Sequence, residues 1–111
     1  MPSYYADIVM NQGETFVVNV TVNNLNNTAY DLTGSSFASQ MKNSYYSTDK
    51  IDVHCGLKAN SNNIINLTLS AQETSNINPG VYVYDVNATN TSNTVIRLLE
   101  GTITVTPRVT I

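Results

Sequence analysis

The chain has 111 residues, 41% of them hydrophobic and only 12% charged. This is the size of one domain, with about half the ~25% charge of an average globular protein. A net charge of −3 and five scattered basic residues, Lys42, Lys50, Lys58, Arg97 and Arg108, argue against a nucleic-acid partner, and no apolar run approaches the ~18 residues of a membrane span.

The opening "MPSYYADIVM" has neither the basic segment nor the apolar core of a signal peptide, so a protein made and used without Sec export is expected. The N-x-S/T sequons at Asn19 and Asn66 then read as composition rather than glycosylation sites. "ADIVM" is a possible first strand and "NQG" (Asn11 to Gly13) its turn. "ETFVVNVTV" alternates, with Phe16, Val18, Val20 and Val22 on one face. "NNLNNTAYDLTG" is loop, in which Asp31 organises a turn through bonds to its own backbone. "SSFASQMKN" alternates with Phe37, Ser39 and Met41 on one face, "SYYSTDK" is a polar aromatic loop, and "IDVHCGL" is a short strand. "IINLTLS" places Ile65, Leu67 and Leu69 together. Ser70 and Glu73 have capping-box spacing, and Pro79-Gly80 stops the chain soon after, so one short helical turn is predicted with Ile77 tucked inward. "VYVYDVNA" and "TVIRLLEGTITVT" are the last strands, the second with a bulge or bend predicted at Gly101.

Short strands at this spacing, with no long helix, predict an all-β fold: a single immunoglobulin-like antiparallel β-sandwich of about seven to eight strands. It would occupy residues 1–106, with 107–111 as an extended C-terminal tail. The predicted core is Phe16, Val18, Val20, Phe37, Met41, Leu67, Leu69, Tyr84, Val86, Ile103 and Val105. Tyr82 enters its strand directly after Pro79-Gly80. This is the place of a tyrosine corner, in which a buried ring bonds back to upstream backbone, with Tyr84 filling the core beside it. A plain aromatic core stripe and a ligand-stacking platform are the alternatives.

Chemistry-bearing motifs are sparse. His54, the only histidine, stands beside Asp52 without a nucleophile elbow and reads as structural rather than catalytic. Cys55, the only cysteine, leaves no intrachain disulfide within this sequence and reads as a buried small residue before it reads as a reactive thiol. The eight carboxylates follow no motif spacing. Asp49 and Asp52 in "STDKID" could form a surface calcium site, against the plainer reading of a solvated loop. No EF-hand, phosphate loop or HExxH is present. No catalytic residue, metal or cofactor is predicted.

Four stretches taken in order, "YYADIVMNQGETF", "DLTGSSFASQMKNSYYS", "LSAQETSNINPGVYVYDV" and "RLLEGTITVTPRVT", resemble a family of small virion structural proteins of marine contractile-tailed bacteriophages, the cyanophage type. They are also similar to the immunoglobulin-like domains at the N-terminus of baseplate upper proteins. The resemblance implies a non-enzymatic β-sandwich built into the virion, in the tail, baseplate or neck, bridging subunits or anchoring fibres. Its partners would be other phage virion proteins in a homo- or hetero-oligomer assembled in the host cytoplasm, with no nucleic acid or membrane. A capsid decoration protein is the alternative within that class, and a carbohydrate-binding module using exposed tyrosines is the alternative outside it. The expected partner interface is Tyr45 and Tyr46 in their loop, together with Arg108, Val109 and Ile111 of the tail, where Pro107 ends the last strand and the residues beyond it alternate like a strand seeking an edge. A solvated loop and a frayed terminus are the plainer readings of these two segments.

Overall fold

A computed structural model describes residues 4–24 and 26–109. In chain order the strands are β1 (Tyr4–Tyr5), β2 (Ile8–Asn11), β3 (Phe16–Thr21), β4 (Ser36–Lys42), β5 (Ile51–Asp52), β6 (His54–Leu57) and β7 (Ile64–Leu69). Helix α1 (Ala71–Ser75), β8 (Gly80–Thr89) and β9 (Val95–Thr106) follow. The larger sheet runs β1-β9-β8-β4-β5, with β2 also on β9, and the smaller runs β3-β7-β6. Two sheets facing across one core make an all-β, immunoglobulin-like sandwich of nine strands among the described residues. The count exceeds the expected seven to eight because a short strand, Tyr4–Tyr5, is split off ahead of the expected first strand and one stretch that read as a single strand is itself split.

The first split lies at the start of the chain. β1 and β2 both pair with β9 in one continuous register, Tyr4 opposite Leu99 and Ile8 opposite Ile103, and both pairings are parallel. The sandwich is therefore not wholly antiparallel. The opening strand joins the larger sheet and the chain then crosses to the smaller sheet at β3, so the first and last strands run in the same direction. Between β1 and β2 the Ala6 N–H keeps a backbone bond to the Glu100 carbonyl at 2.9 Å, and at Asp7 a side chain takes over. The Asp7 carboxylate accepts from the Thr102 backbone N–H at 3.3 Å and from its hydroxyl at 2.8 Å. The second split is at Val53. Ile51–Asp52 pair with β4 in the larger sheet, while His54–Leu57 pair with β7 in the smaller one. Buried Val53 marks the crossing, its N–H donating to the Ser39 carbonyl at 2.9 Å.

Strand directions put the β3–β4, β6–β7 and β8–β9 connections at one end of the sandwich. Each holds one asparagine in the left-handed region: Asn27 (φ 65), Asn60 (φ 64) and Asn93 (φ 62). Asparagine tolerates that region because its short polar side chain bonds locally, so much of the asparagine richness is turn chemistry. The opposite end carries α1, the 12–15 turn, the 43–50 loop and the tail.

The core follows the predicted alternation. Phe16, Met41, Leu67, Leu69, Tyr84, Val86, Ile103 and Val105 are buried. Val18, Val20 and Phe37 are only partly buried. Val18 and Val20 lie on β3, an edge strand of a sheet of three, where one flank has no neighbouring strand to cover it. Val22, which alternation placed on the Phe16 face but which was not among the predicted core residues, is buried, and Met10, Leu32 and Leu98 join the core without having been singled out. Leu32 plugs the asparagine-rich end, beside an Asp31 whose carboxylate accepts from the Thr33 N–H at 2.9 Å, the turn expected there.

Tyr82 is buried and its hydroxyl donates to the Asn78 carbonyl at 2.7 Å, a tyrosine corner. Tyr84 is buried too, and its hydroxyl donates to the Ala6 carbonyl at 2.8 Å. Tyr84 sits opposite Gly101 in the ladder. At Gly101 (φ +155) any Cβ would collide with the Ala6 carbonyl oxygen. The predicted irregularity at Gly101 is thus a close crossing of chains; the β-bulge itself lies three residues earlier, opposite Val86 and Asn87. Burial, and secondarily the Asp7 carboxylate, push the Tyr84 phenol up to about 12, so it remains a donor at any ordinary pH.

Helix α1 has the predicted capping box. The Glu73 N–H donates to Ser70 Oγ at 3.1 Å and the Ser70 N–H to Glu73 Oε1 at 2.9 Å. Ile77 is buried after it as expected. Buried Thr74 fastens the helix to the 12–15 turn, its hydroxyl donating to the Glu14 carbonyl at 2.9 Å and accepting from the Gly13 N–H at 3.1 Å.

Two outcomes follow for stability. Tyr84→Phe and Tyr82→Phe should each cost about 1–3 kcal/mol in urea unfolding, because each leaves a backbone carbonyl without its donor. Gly101→Ala should cost more than either, since a backbone group must move. A Tyr84→Phe chain as stable as the natural one would show that Ala6 finds another partner. The Glu73 carboxylate is held below its ordinary 4.5, first by the Ser70 backbone N–H and then by His54. A depressed folded value gives stability that is present above pH 4.5 and is lost as pH falls through the folded value. Thermal midpoints taken from about pH 6 down to about pH 3 should therefore fall more steeply for the natural chain than for Glu73→Gln, which keeps an acceptor but has no titrating charge. Equal slopes would uncouple that charge from folding.

Candidate functional site

The outer face of the larger sheet holds the densest group of polar side chains. Cross-strand register sets Tyr5, Glu100, Asp85, Gln40 and Asp52 in one row over five strands. Asp85 and Glu100 are thus direct neighbours, an arrangement that like charges disfavour. Arg97 relieves it, with Nη1 at 3.1 Å from Glu100 Oε2 and Nη2 at 3.6 Å from Asp85 Oδ2.

Arg97 reaches that face because of the bulge. Val86 pairs with Leu99 but Asn87 with Arg97, so Leu98 is the extra residue on β9. Leu98 and Leu99 both turn into the core, and the alternation restarts with Arg97 outward. A regular strand would have pointed Leu98 at solvent and Arg97 at the core. Bulges commonly re-aim a side chain in this way.

Above the row lies a cleft of about 300 Å³, lined by Gln40, Lys42, Tyr45, Asp85, Arg97 and Glu100, with Val83 and Tyr84 in its floor. The 43–50 loop folds back so that Tyr45 walls the cleft. Tyr5 stands at the row's far end, where the Asp7 carboxylate, with Tyr45 and Glu100 adding to it, raises its phenol. At the other end Gln40 Nε2 donates to Asp52 Oδ1 at 2.9 Å.

The predicted interface residues fall in two places at the α1 end of the sandwich. Tyr45 is 74% exposed and Tyr46 96%; the first belongs to the cleft and the second projects from the loop. Val109 is 97% exposed, and Ile111 lies outside the described residues. Arg108 is held by its own domain, its N–H donating to Gln12 Oε1 at 3.3 Å and its guanidinium to Ser75 Oγ at 3.2 Å. It lies over Gly13, where a Cβ would come within 2.6 Å of Arg108 Nη1. β9 ends at Thr106, before Pro107, as the missing proline N–H requires.

Other candidates stand apart. His54 Nε2 lies 2.9 Å from Glu73 Oε2 and joins β6 to the capped helix. Burial pushes the Cys55 thiol up to about 11, which keeps it a thiol rather than a nucleophilic thiolate. Asp49 stays in a Ser47 turn and Asp52 is bonded to Gln40. Among the described residues no three His, Cys, Asp or Glu side chains converge as metal ligands, and no helix is long and apolar enough to cross a membrane.

The Asp85–Arg97–Glu100 group escapes sequence reading because alternation is counted along one strand, whereas this group is made by a register shift between two. The signal available was "RLLEG": two consecutive leucines between two charges cannot both be buried in a regular strand.

No protein-family model matches the chain, and no curated protein matches it. Among solved structures it is similar to an internalin-like protein of Listeria monocytogenes, at 17% identity and a TM-score of 0.48, covering 96% of this chain and 28% of that one. The chain thus spans well under two thirds of that protein. It is also similar to AggA, the major subunit of aggregative adherence fimbriae type I of Escherichia coli. There the identity is 11% and the TM-score 0.40, with coverage of 89% of this chain and 90% of that one.

Arg97→Ala should leave Asp85 and Glu100 opposed. Because all three side chains are more than a third exposed, solvent screens them and the loss should be only about 0.2–1 kcal/mol, shrinking as salt is added. Urea unfolding at low and high ionic strength measures it. A loss independent of salt would mean that Arg97 acts through packing.

Proposed function

We propose that this chain is a non-enzymatic structural module of a bacteriophage virion, set in the tail, baseplate or neck, where it bridges neighbouring subunits or anchors fibres. One observation carries the reading. The four stretches that resemble phage virion proteins coincide with the parts of the fold that hold its long-range bonds: β1 to the 12–15 turn, β4 and its loop, α1 with β8, and β9 with the tail. Ala6, Asp7, Thr74, Tyr84, Gly101 and Arg108 all fall inside them. The asparagine-rich loops fall almost wholly outside. The resemblance thus rests on stretches that the sandwich needs more than on its polar loops, and this is what supports the reading.

The contact end follows from the same geometry. Tyr46 and Val109, both nearly fully exposed, leave the sandwich at the α1 end, on a loop and a tail whose roots are fixed. Exposed tyrosine and short apolar tails are suited to interfaces, the first by ring burial and the second by strand addition.

The test is made in the phage that encodes the chain. Mass spectrometry of purified particles should find it. Truncation after Arg108, which spares the Arg108 contacts, and Tyr46→Ser should each give a folded monomer that is poorly incorporated. Absence of the natural chain from particles would overturn the virion reading. Normal incorporation of both variants would overturn the assignment of the contact end.

A further inference from the structure

From the outer-face cleft we infer a binding site for a neutral saccharide, independent of the assembly role proposed above. The inference starts from charge. Lys42 and Arg97 face Asp85 and Glu100 across the same cleft, so two cations balance two carboxylates and the cleft has no net sign. An anionic ligand would meet the carboxylates, and a cationic one would meet Arg97 and Lys42. A neutral ligand with many hydroxyls meets neither penalty. Each hydroxyl both donates and accepts, and the cleft sets the Asp85 and Glu100 acceptors beside the guanidinium, ammonium and amide donors of Arg97, Lys42 and Gln40.

Shape and stacking point the same way. A volume of about 300 Å³ is at the small end for ligand pockets, suited to one or two sugar rings. Tyr45, 74% exposed, offers an aromatic wall against which the C–H face of a pyranose packs while its hydroxyls reach the row beneath. The polar groups are fixed before any ligand arrives. Arg97 is braced by two carboxylates, and the Leu98 bulge that sets it there is part of the backbone. Pre-set groups lower the ordering cost of binding.

The experiment uses the full chain on an array of neutral hexose and N-acetylhexosamine oligosaccharides, followed by calorimetric titration of the retained sugar. Saturable binding is expected, weakened about tenfold or more by Tyr45→Ala through loss of the stacking wall. Tyr46→Ala, outside the cleft, should bind as the natural chain does. Arg97→Lys should weaken binding while keeping the charge, since Lys lacks the fork held by both carboxylates. Retention of no neutral sugar, preference for sialylated or sulfated glycans, or unchanged binding by Tyr45→Ala would each overturn the site. Incorporation into particles is a separate readout, so loss of sugar binding with normal assembly leaves the virion reading intact.

Discussion

The carbonyl of Ala6 is the group on which this sandwich most depends. It turns inward at the break between β1 and β2, away from the ladder that satisfies its neighbours, and a buried carbonyl without a donor is costly. Two residues far from Ala6 in sequence answer that demand. Gly101 removes the side chain that would block the approach, and Tyr84, opposite that glycine, supplies the hydroxyl. The Ala6 N–H is taken by the Glu100 carbonyl at 2.9 Å. The opening strand is thereby locked against the last one. With that lock the edge of β9 is covered along most of its length, and an edge left open would be a template for unwanted pairing. The same lock sets a kinetic price: the first and last strands must meet before it forms, and such distant pairing folds slowly.

The two ends of the molecule are built by different means, and the difference divides structure from function. At the β3–β4, β6–β7 and β8–β9 end, left-handed asparagines turn the chain and local side-chain bonds close each loop, as in Asn90, which accepts from both Ser92 and Thr94. The β3–β4 and β6–β7 connections also meet, the Leu32 N–H donating to the Asn62 carbonyl at 2.7 Å and Asn63 Nδ2 to the Val22 carbonyl at 3.3 Å. At the α1 end the connections are tied to one another. Thr74 holds the 12–15 turn, Gln12 donates to the Ile77 carbonyl at 3.0 Å, and Arg108 closes over Gly13 and Ser75. An end braced in this way gives the 43–50 loop and the tail fixed points of departure, so exposed side chains there meet a partner with less entropy to lose.

Much of this was legible residue by residue. The two-residue period placed Phe16, Met41, Leu67 and Ile103 inward, the Ser70–Glu73 spacing gave the capped turn, and Pro79-Gly80 before Tyr82 gave the corner. Periodicity reports which way a residue faces but not what covers it, which is why Val18 and Val20 face the core and are only half shielded at an edge. Nor does it report which strand comes alongside which. The parallel seat of β1 and β2 on β9, the change of sheet at Val53 and the plugging of one end by Leu32 each depend on a partner distant in the chain. Gly101 was visible as an irregularity; its reason, the passage of Ala6, was not. Among the candidate site residues, exposed Tyr45 and Tyr46 could be anticipated from a polar loop. The Asp85–Arg97–Glu100 group beside Tyr45 could not, because its members come from two strands and one of them faces outward only through a shift in register.

That shift links the core to the surface. Leu98 and Leu99 both fill the interior, so the bulge is stabilised by burial of an additional leucine, and the strand needs no functional excuse to keep it. The consequence for the outer face is nevertheless fixed. Once Leu98 turns inward, Arg97 must turn outward, and it arrives between two carboxylates that would otherwise repel each other across the ladder. Apolar packing on one side of the sheet thus determines charge placement on the other. The guanidinium meets a carboxylate on each side, at a backbone position set by the buried leucines. Side chains on an ordinary sheet surface have no such support and sample several rotamers. The physical distinction of this face lies in that placement more than in its composition.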